Sequence, residues 1–276
     1  MKSENYFSLL TSHFSLLKGV IVTTLLTLKN LTKKFGGLIA VNNVSFDADE
    51  KSVMGLIGPN GAGKTTVFNL ITGNYASDAG EIVFDGNPIT GLITHRIVSL
   101  GIARTFQTIR LFQNMSVLEN VLAGCHCRMK SGIFGGMFHT KNQKKEEKEA
   151  ISLALKELDF VGLRRHCEQL SKNLSYGNQR LLEIARALAT SPRLLILDEP
   201  AGGMNEQETD SLIGLIRKIR DRGITILLIE HDMGLVMKAC EKIVVIEYGS
   251  KIAEGTPEEI KANPRVIEAY LGTDEN

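Results

Sequence analysis

Apolar and polar positions follow two different periods along this chain, and the places where the period changes mark its organisation. Leu26-Thr27-Leu28-Lys29-Asn30-Leu31 alternates, and Val41 to Asp47 alternates again, which predicts half-buried strands. Between them, Lys33-Lys34-Phe35-Gly36-Gly37 predicts a turn carrying one aromatic ring. Lys51-Ser52 then turns the chain into a short apolar run, Val53-Met54-Gly55-Leu56-Ile57, and Glu81 to Gly86 reads as a further strand ended by a turn. The first part is therefore expected to be antiparallel strands feeding one buried strand. Later, Leu194 to Leu197 and Ile224 to Ile229 are apolar without interruption, as strands covered on both faces must be. Leu181 to Ala189 is helical and ended by Ser191-Pro192; Glu208 to Arg222 is helical and stopped by Gly223; Val236 to Cys240 is a short helix. Lys242 to Ile246 and Lys251 to Ala253 predict a hairpin around Gly249-Ser250. Strands alternating with helices through right-handed crossovers predict a parallel sheet.

From about Thr108 to Leu174 the pattern is mostly helical. Ser116 is placed as an N-cap with Glu119 three residues on, a capping-box signature. A glycine-rich break (Ser131 to Gly136) follows, then a run of mixed charge from Lys141 to Glu149 that opens into Ala150 to Leu158. Mixed signs mark a solvated helix face rather than a binding tail. This block reads as a helical subdomain, about residues 108–180, inserted in an α/β domain of residues 26–273. Residues 1–25 stand apart. Their apolar stretches are broken by His13, Lys18 and several Ser and Thr, too polar for a membrane span or a signal peptide. They are read as an extension: a mobile arm, an interfacial helix, or residues not translated in the cell.

Composition narrows the class. With 276 residues, 43% hydrophobic and 23% charged, the chain suits one large domain with a subdomain. A net charge of +1 gives no overall attraction for nucleic acid. Four cysteines (Cys125, Cys127, Cys167, Cys240) are too few and scattered for a disulfide framework, which fits a reducing cytosolic setting. Cys125-His126-Cys127 lacks the second pair of ligands that a zinc site uses.

The candidate chemistry starts at Gly58-Pro59-Asn60-Gly61-Ala62-Gly63-Lys64-Thr65-Thr66, which follows the apolar run of Val53 to Ile57 and leads into a helix. That spacing fits a phosphate-binding P-loop. Backbone N–H groups in such a loop form an anion nest, and the following helix offers free N–H groups and the positive end of its dipole. Lys64 adds a point charge for the β- and γ-phosphates, and Thr65 a hydroxyl for Mg²⁺. In a parallel sheet, ligands sit beyond the carboxyl ends of the strands. Asp198-Glu199 and Glu230-His231 fall at such ends, as the P-loop does. Asp198 is placed to hold Mg²⁺ with Thr65; Glu199 should point the other way, towards an attacking water, as general base; His231 is placed to bond the γ-phosphate. Ser175 and Gly177, in Leu174-Ser175-Tyr176-Gly177-Asn178-Gln179-Arg180, form a second anion site at a helix start. Each anion site opens its own helix, so a second copy is expected to bring the two together across an interface.

These stretches together resemble the ATP-binding subunits of ABC transporters, over about Leu26 to Gly272. The P-loop, Gln107, the signature from Ser175 to Gln179, Asp198-Glu199 and His231 occur in that family's order. The resemblance implies a RecA-like P-loop NTPase core with an antiparallel β-subdomain and an inserted helical subdomain. It implies ATP and Mg²⁺ as ligands, Phe35 stacked on adenine, and Gln107 sensing Mg²⁺ and water. It further implies that Ser175, Gly177 and Gln179 contact the ATP of an opposite subunit, and that Ala201 to Asn205 cross the dimer interface. Within the family, the chain is similar to branched-chain amino acid importer subunits. The stretches that carry this are Lys33 to Gly37, Gly101-Ile102-Ala103-Arg104-Thr105-Phe106-Gln107, Arg110-Leu111-Phe112, Leu174 to Gly177 and Asn263 to Gly272. The segment from Gly124 to Glu149 resembles the larger of the two ATPase subunits those importers use. A second ATPase subunit, two membrane permeases and, indirectly, a solute-binding protein are then the expected partners, with no nucleic acid, at the cytoplasmic face of the membrane. Importers of urea and short amides carry similar subunits, and a soluble ABC ATPase of translation or DNA repair is the more distant alternative. Lys51-Ser52 stands where the family usually has Gly-Glu, which predicts a different turn or modest strain at Lys51.

Overall fold

The computed structural model describes residues 16–17, 20–21, 23–125 and 141–271. A two-residue antiparallel pair, β1 (Leu16–Leu17) and β2 (Val20–Ile21), precedes the main body. β3 (Thr24–Phe35), β4 (Leu38–Asp49), β6 (Ala79–Phe84) and β7 (Asn87–Pro88) form an antiparallel sheet in the order β4-β3-β6-β7. The second sheet has six strands: β5 (Val53–Ile57), β8 (Ile102–Arg104), β9 (Leu194–Asp198), β10 (Thr225–Ile229), β11 (Lys242–Glu247) and β12 (Ser250–Gly255). Their order is β12-β11-β5-β10-β9-β8, parallel throughout except for the antiparallel edge β12.

The helices are α1 (Lys64–Ile71), α2 (Thr94–Leu100), α3 (Val117–Cys125), α4 (Lys141–Phe160), α5 (Tyr176–Leu188), α6 (Glu206–Asp221), α7 (Met233–Ala239), α8 (Pro257–Ala262) and α9 (Pro264–Leu271). Their starts follow local chemistry. Ser116 and Glu119 exchange the two hydrogen bonds of a capping box before α3, and Asn205 with Glu208 does the same before α6. The Ser131 to Gly136 break falls outside the described residues, as do His126 and Cys127.

The unbroken apolar runs are explained by a sheet covered on both faces. Alternate side chains of each central strand enter different cores. Val53, Ile57, Leu195, Leu197, Ile226, Leu228, Ile243 and Val245 pack with α3 to α7. Met54, Leu56, Leu194, Ile196, Leu227, Ile229, Val244 and Ile246 pack with α1 and the antiparallel sheet. All of these are buried, each contributing roughly 1.5–3 kcal/mol. The helices α3, α4 and α5 share the first core through Val117, Val121, Leu158, Leu182 and Ala185.

Several expectations are corrected. Lys33 to Phe35 still belong to β3, and only Gly36-Gly37 turns. β3 of the antiparallel sheet begins at Thr24, with Leu25 already buried, so that sheet starts before residue 26. α5 begins at Tyr176 rather than Leu181, because Ser175 caps it. β8 and the short helices α2, α8 and α9 had no counterpart in the sequence reading, being too short to show a period. Lys51 lies at φ +57°, the left-handed strain expected of a side chain at a glycine-type turn.

Candidate active site at the carboxyl edge of the sheet

Parallel pairing brings the ends of β5, β10 and β9 to one edge, since Ile229 is in register with both Leu56 and Asp198. The P-loop leaves β5 there. Gly63 caps α1 at φ +101° without a side-chain hydrogen bond, so the first turn presents bare N–H groups. A Cβ on Gly63 would lie 2.3 Å from the Ala40 carbonyl, so only glycine lets β4 and the loop close up. A cleft of about 500 Å³ opens over the loop. It is lined by Asn60, Gly61, Ala62, Gly63, Lys64, Thr65 and Thr66, by Phe35, Leu38, Ile39 and Ala40, and by Gln107, Glu199, Tyr248 and Gly249.

Gly58 and Pro59 lie behind this lining and do a different job. Their carbonyls accept hydrogen bonds from Lys64 Nζ at 2.6 and 2.9 Å. Lys64 is itself buried, and that burial pulls its pKa below the usual lysine value while Glu199 and Asp198 oppose the shift. Phe35 stands at the rim, its ring edge-on to Tyr75 at 5.3 Å.

Glu199 occupies the wall facing Lys64 and Thr65. Its backbone sits at φ +48°, a conformation costly for a non-glycine residue. Gln107 Nε2 donates to Glu199 Oε2 at 2.9 Å, and His231 Nδ1 lies 3.8 Å from the same oxygen. The structure therefore brings Gln107 and His231 to Glu199. Asp198, one residue earlier, is buried and lies outside the cleft lining. Its Oδ2 accepts from Arg104 Nη2 at 2.6 Å. Among the described residues no cluster of three His, Cys, Asp or Glu could hold a metal. Thr65 and Asp198 supply oxygen donors only, which suits Mg²⁺ sharing its shell with substrate phosphates.

Ser175, Gly177 and Gln179 do not reach this cleft. Ser175 Oγ accepts from Asn178 N at 3.4 Å, Gln179 Nε2 donates to the Leu174 carbonyl at 3.1 Å, and Gly177 borders a separate groove with Met204, Asn205 and Glu208.

Three residues of the site had no role assigned from the sequence. Arg104 is one. Arg180, buried at the start of α5, donates to the carbonyls of Phe106 and Gln107 and to Tyr176 Oη. Glu230 is 1% exposed and accepts from the backbone N–H of Ala201 and His231, at 2.8 and 3.2 Å, so it props the loop after Glu199. Burial raises its pKa, against the pull of the Ala201 hydrogen bond. The signal for all three was a charge inside or bordering an otherwise apolar element, which demands a partner.

The same combination of loops is found in known proteins. The ABC transporter family profile matches residues 41–202, from β4 through the loop after Glu199. The chain belongs to the ABC transporter family. Residues 250–276 also match a profile described as "Branched-chain amino acid ATP-binding cassette transporter". The high-affinity branched-chain amino acid transport ATP-binding protein BraF of Pseudomonas aeruginosa is 49% identical over 249 residues, covering 90% of this chain and 98% of BraF. The crystal structure of the ADP conformation of MJ1267, an ATP-binding cassette of an ABC transporter, superposes with a TM-score of 0.80 at 33% identity, covering 91% of this chain and 99% of that one. The cassette MJ0796, in a dimeric post-hydrolysis structure bound to ADP and phosphate, gives 0.71 at 25% identity, covering 84% and 98%. This ABC cassette is thus an α/β P-loop ATPase subunit of a transporter. Among its described residues no helix is long and apolar enough to cross a membrane.

Proposed function

We propose that this cassette hydrolyses ATP with Mg²⁺ to power uptake of branched-chain amino acids through a membrane permease. The observation that carries the hydrolytic reading is Glu199, held by Gln107 on the wall of the P-loop cleft. The solute class is supported by the 49% identity to BraF.

ATP enters with its base against Phe35 and its phosphates on the backbone of Asn60 to Thr66. Lys64 turns from the carbonyls of Gly58 and Pro59 to the β- and γ-phosphates. Thr65 and Asp198 would hold Mg²⁺, which supplies charge neutralisation at the phosphates. Glu199 takes a proton from the water attacking the γ-phosphorus, ADP leaves, and inorganic phosphate is the second product. Gln107 orients that carboxylate and the water, and His231 approaches the γ-phosphate from beside it. Ser175, Gly177 and Gln179 serve the nucleotide of a second cassette, which Ala201 to Asn205 meet at the interface. Their distance from this chain's own cleft supports that reading, as does the dimer formed by MJ0796. The remaining partners are two permeases and, indirectly, a solute-binding protein, with the cassette at the cytoplasmic face. The helices α3 and α4, within the helical subdomain of about residues 108–180, would lie towards the permeases.

Glu199→Gln should lower ATP hydrolysis by about 10²- to 10⁴-fold while leaving ATP binding intact, measured in the assembled transporter. Activity near that of the native protein would remove Glu199 from the role of base. Uptake of labelled leucine, against urea, by the reconstituted complex tests the solute class.

A further inference from the structure

The pair Arg104–Asp198 has more structure around it than a chance contact needs. Both side chains are almost sealed from solvent, 6% and 4% exposed. Arg104 ends β8, the strand that runs into Gln107, and Asp198 ends the neighbouring strand β9. The second nitrogen of the guanidinium, Nη1, donates to Asn69 Oδ1 at 2.8 Å, on the helix that Lys64 opens, and lies 3.3 Å from Oγ1 of Thr72, which caps the end of that helix. The rings of Phe68 and Phe106 lie 5.6 and 5.2 Å from the guanidinium carbon. One cation therefore ties the strand before Gln107, the P-loop helix and the carboxylate beside Glu199.

Arg104 Nε is buried without a hydrogen-bond partner. An unpaired buried donor is unfavourable, so the side chain is not held there for an optimal set of neutral hydrogen bonds. Losing one member of an ion pair as buried as this one is strongly destabilising.

We propose that Arg104 is the resident counter-ion of Asp198: it holds the buried carboxylate in place, and Mg²⁺ binds against its repulsion. Arg104 is then a positioning residue that sets how much Mg²⁺ the site requires. The inference rests on the reading of Asp198 as a Mg²⁺ ligand.

The test uses thermal unfolding of the full chain with the non-hydrolysable analogue AMP-PNP, in EDTA and over a Mg²⁺ titration. The Mg²⁺-dependent part of the Tm shift is the readout. Arg104→Met should melt earlier in EDTA, show a larger Mg²⁺-dependent shift, and reach half of that shift at a Mg²⁺ concentration at least about threefold lower, since a like charge near the metal is gone. Arg104→Lys keeps the charge and should retain the native half-point. If Arg104→Met does not fold, Arg104→Gln, which still offers Asp198 a donor, carries the same comparison. A half-point unchanged or raised in the neutral variants overturns the proposal, as does one that Arg104→Lys lowers equally. Asp198→Asn separates the two layers. Should its Mg²⁺-dependent shift persist at the native half-point, the assignment of Asp198 to Mg²⁺ fails, whatever the Arg104 variants do.

Discussion

Lys64 illustrates how much of the site is decided by single side chains. Its ammonium is buried on the carbonyls of Gly58 and Pro59, and burial lowers its pKa from the ordinary 10.5. Only the protonated form attracts phosphate. As pH rises, that form is lost sooner than from an exposed lysine, so ATP affinity should fall in alkaline buffer at a lower pH than an unperturbed lysine would give. Titrating ATP binding against pH checks this, and Lys64→Met should lack that alkaline fall. The P-loop was legible because its chemistry is contiguous in sequence. Asp198 and Glu199 were legible because they break an apolar run. In the structure Asp198 meets Arg104 and Glu199 meets Gln107, and the Arg104 contact had no counterpart in the sequence. Arg180 and Glu230 were not legible as site residues. Each has a partner among backbone groups more than twenty residues away, which no local spacing encodes.

At the level of elements, close helix packing sets a sharp limit at Gly124. A Cβ there would stand 2.3 Å from the Arg186 carbonyl and 3.3 Å from Ala189 Cβ. Alanine is intrinsically better than glycine inside a helix by up to about 1 kcal/mol. Overpacking against a backbone carbonyl costs about 1–3 kcal/mol and should win. Gly124→Ala is therefore expected to lower the melting temperature, read by circular dichroism, by pushing α3 away from α5. From the sequence, Gly124 marked only the start of a loosely patterned segment, because a close approach is a property of two helices and not of either one. The central strands were legible for the opposite reason: burial on both faces leaves an unbroken apolar run that needs no knowledge of its neighbours. β8 was hidden because three residues cannot show a period, although it supplies the edge from which Gln107 departs.

For the whole molecule, the split between the two anion sites has a consequence for assembly. The P-loop cleft and the groove beside Gly177 are separate surfaces of one chain. Glu199→Gln with ATP and Mg²⁺ should therefore sediment as a dimer, alone or with the second ATPase subunit, and dissociate when ATP is removed. Adding Ser175→Arg should abolish the dimer and leave ATP binding to the P-loop unchanged. Analytical ultracentrifugation distinguishes these outcomes; a dimer insensitive to ATP would count against the composite site.

The left-handed backbone at Glu199 sets stability and turnover against each other. Glycine adopts φ +48° freely, whereas glutamate there carries strain of about 1–3 kcal/mol. Glu199→Gly should raise the melting temperature of the chain, seen by calorimetry, while hydrolysis collapses. A library selected for heat resistance alone should enrich glycine at position 199 and discard the proposed base, whereas one selected for growth on the transported solute should return the strained glutamate.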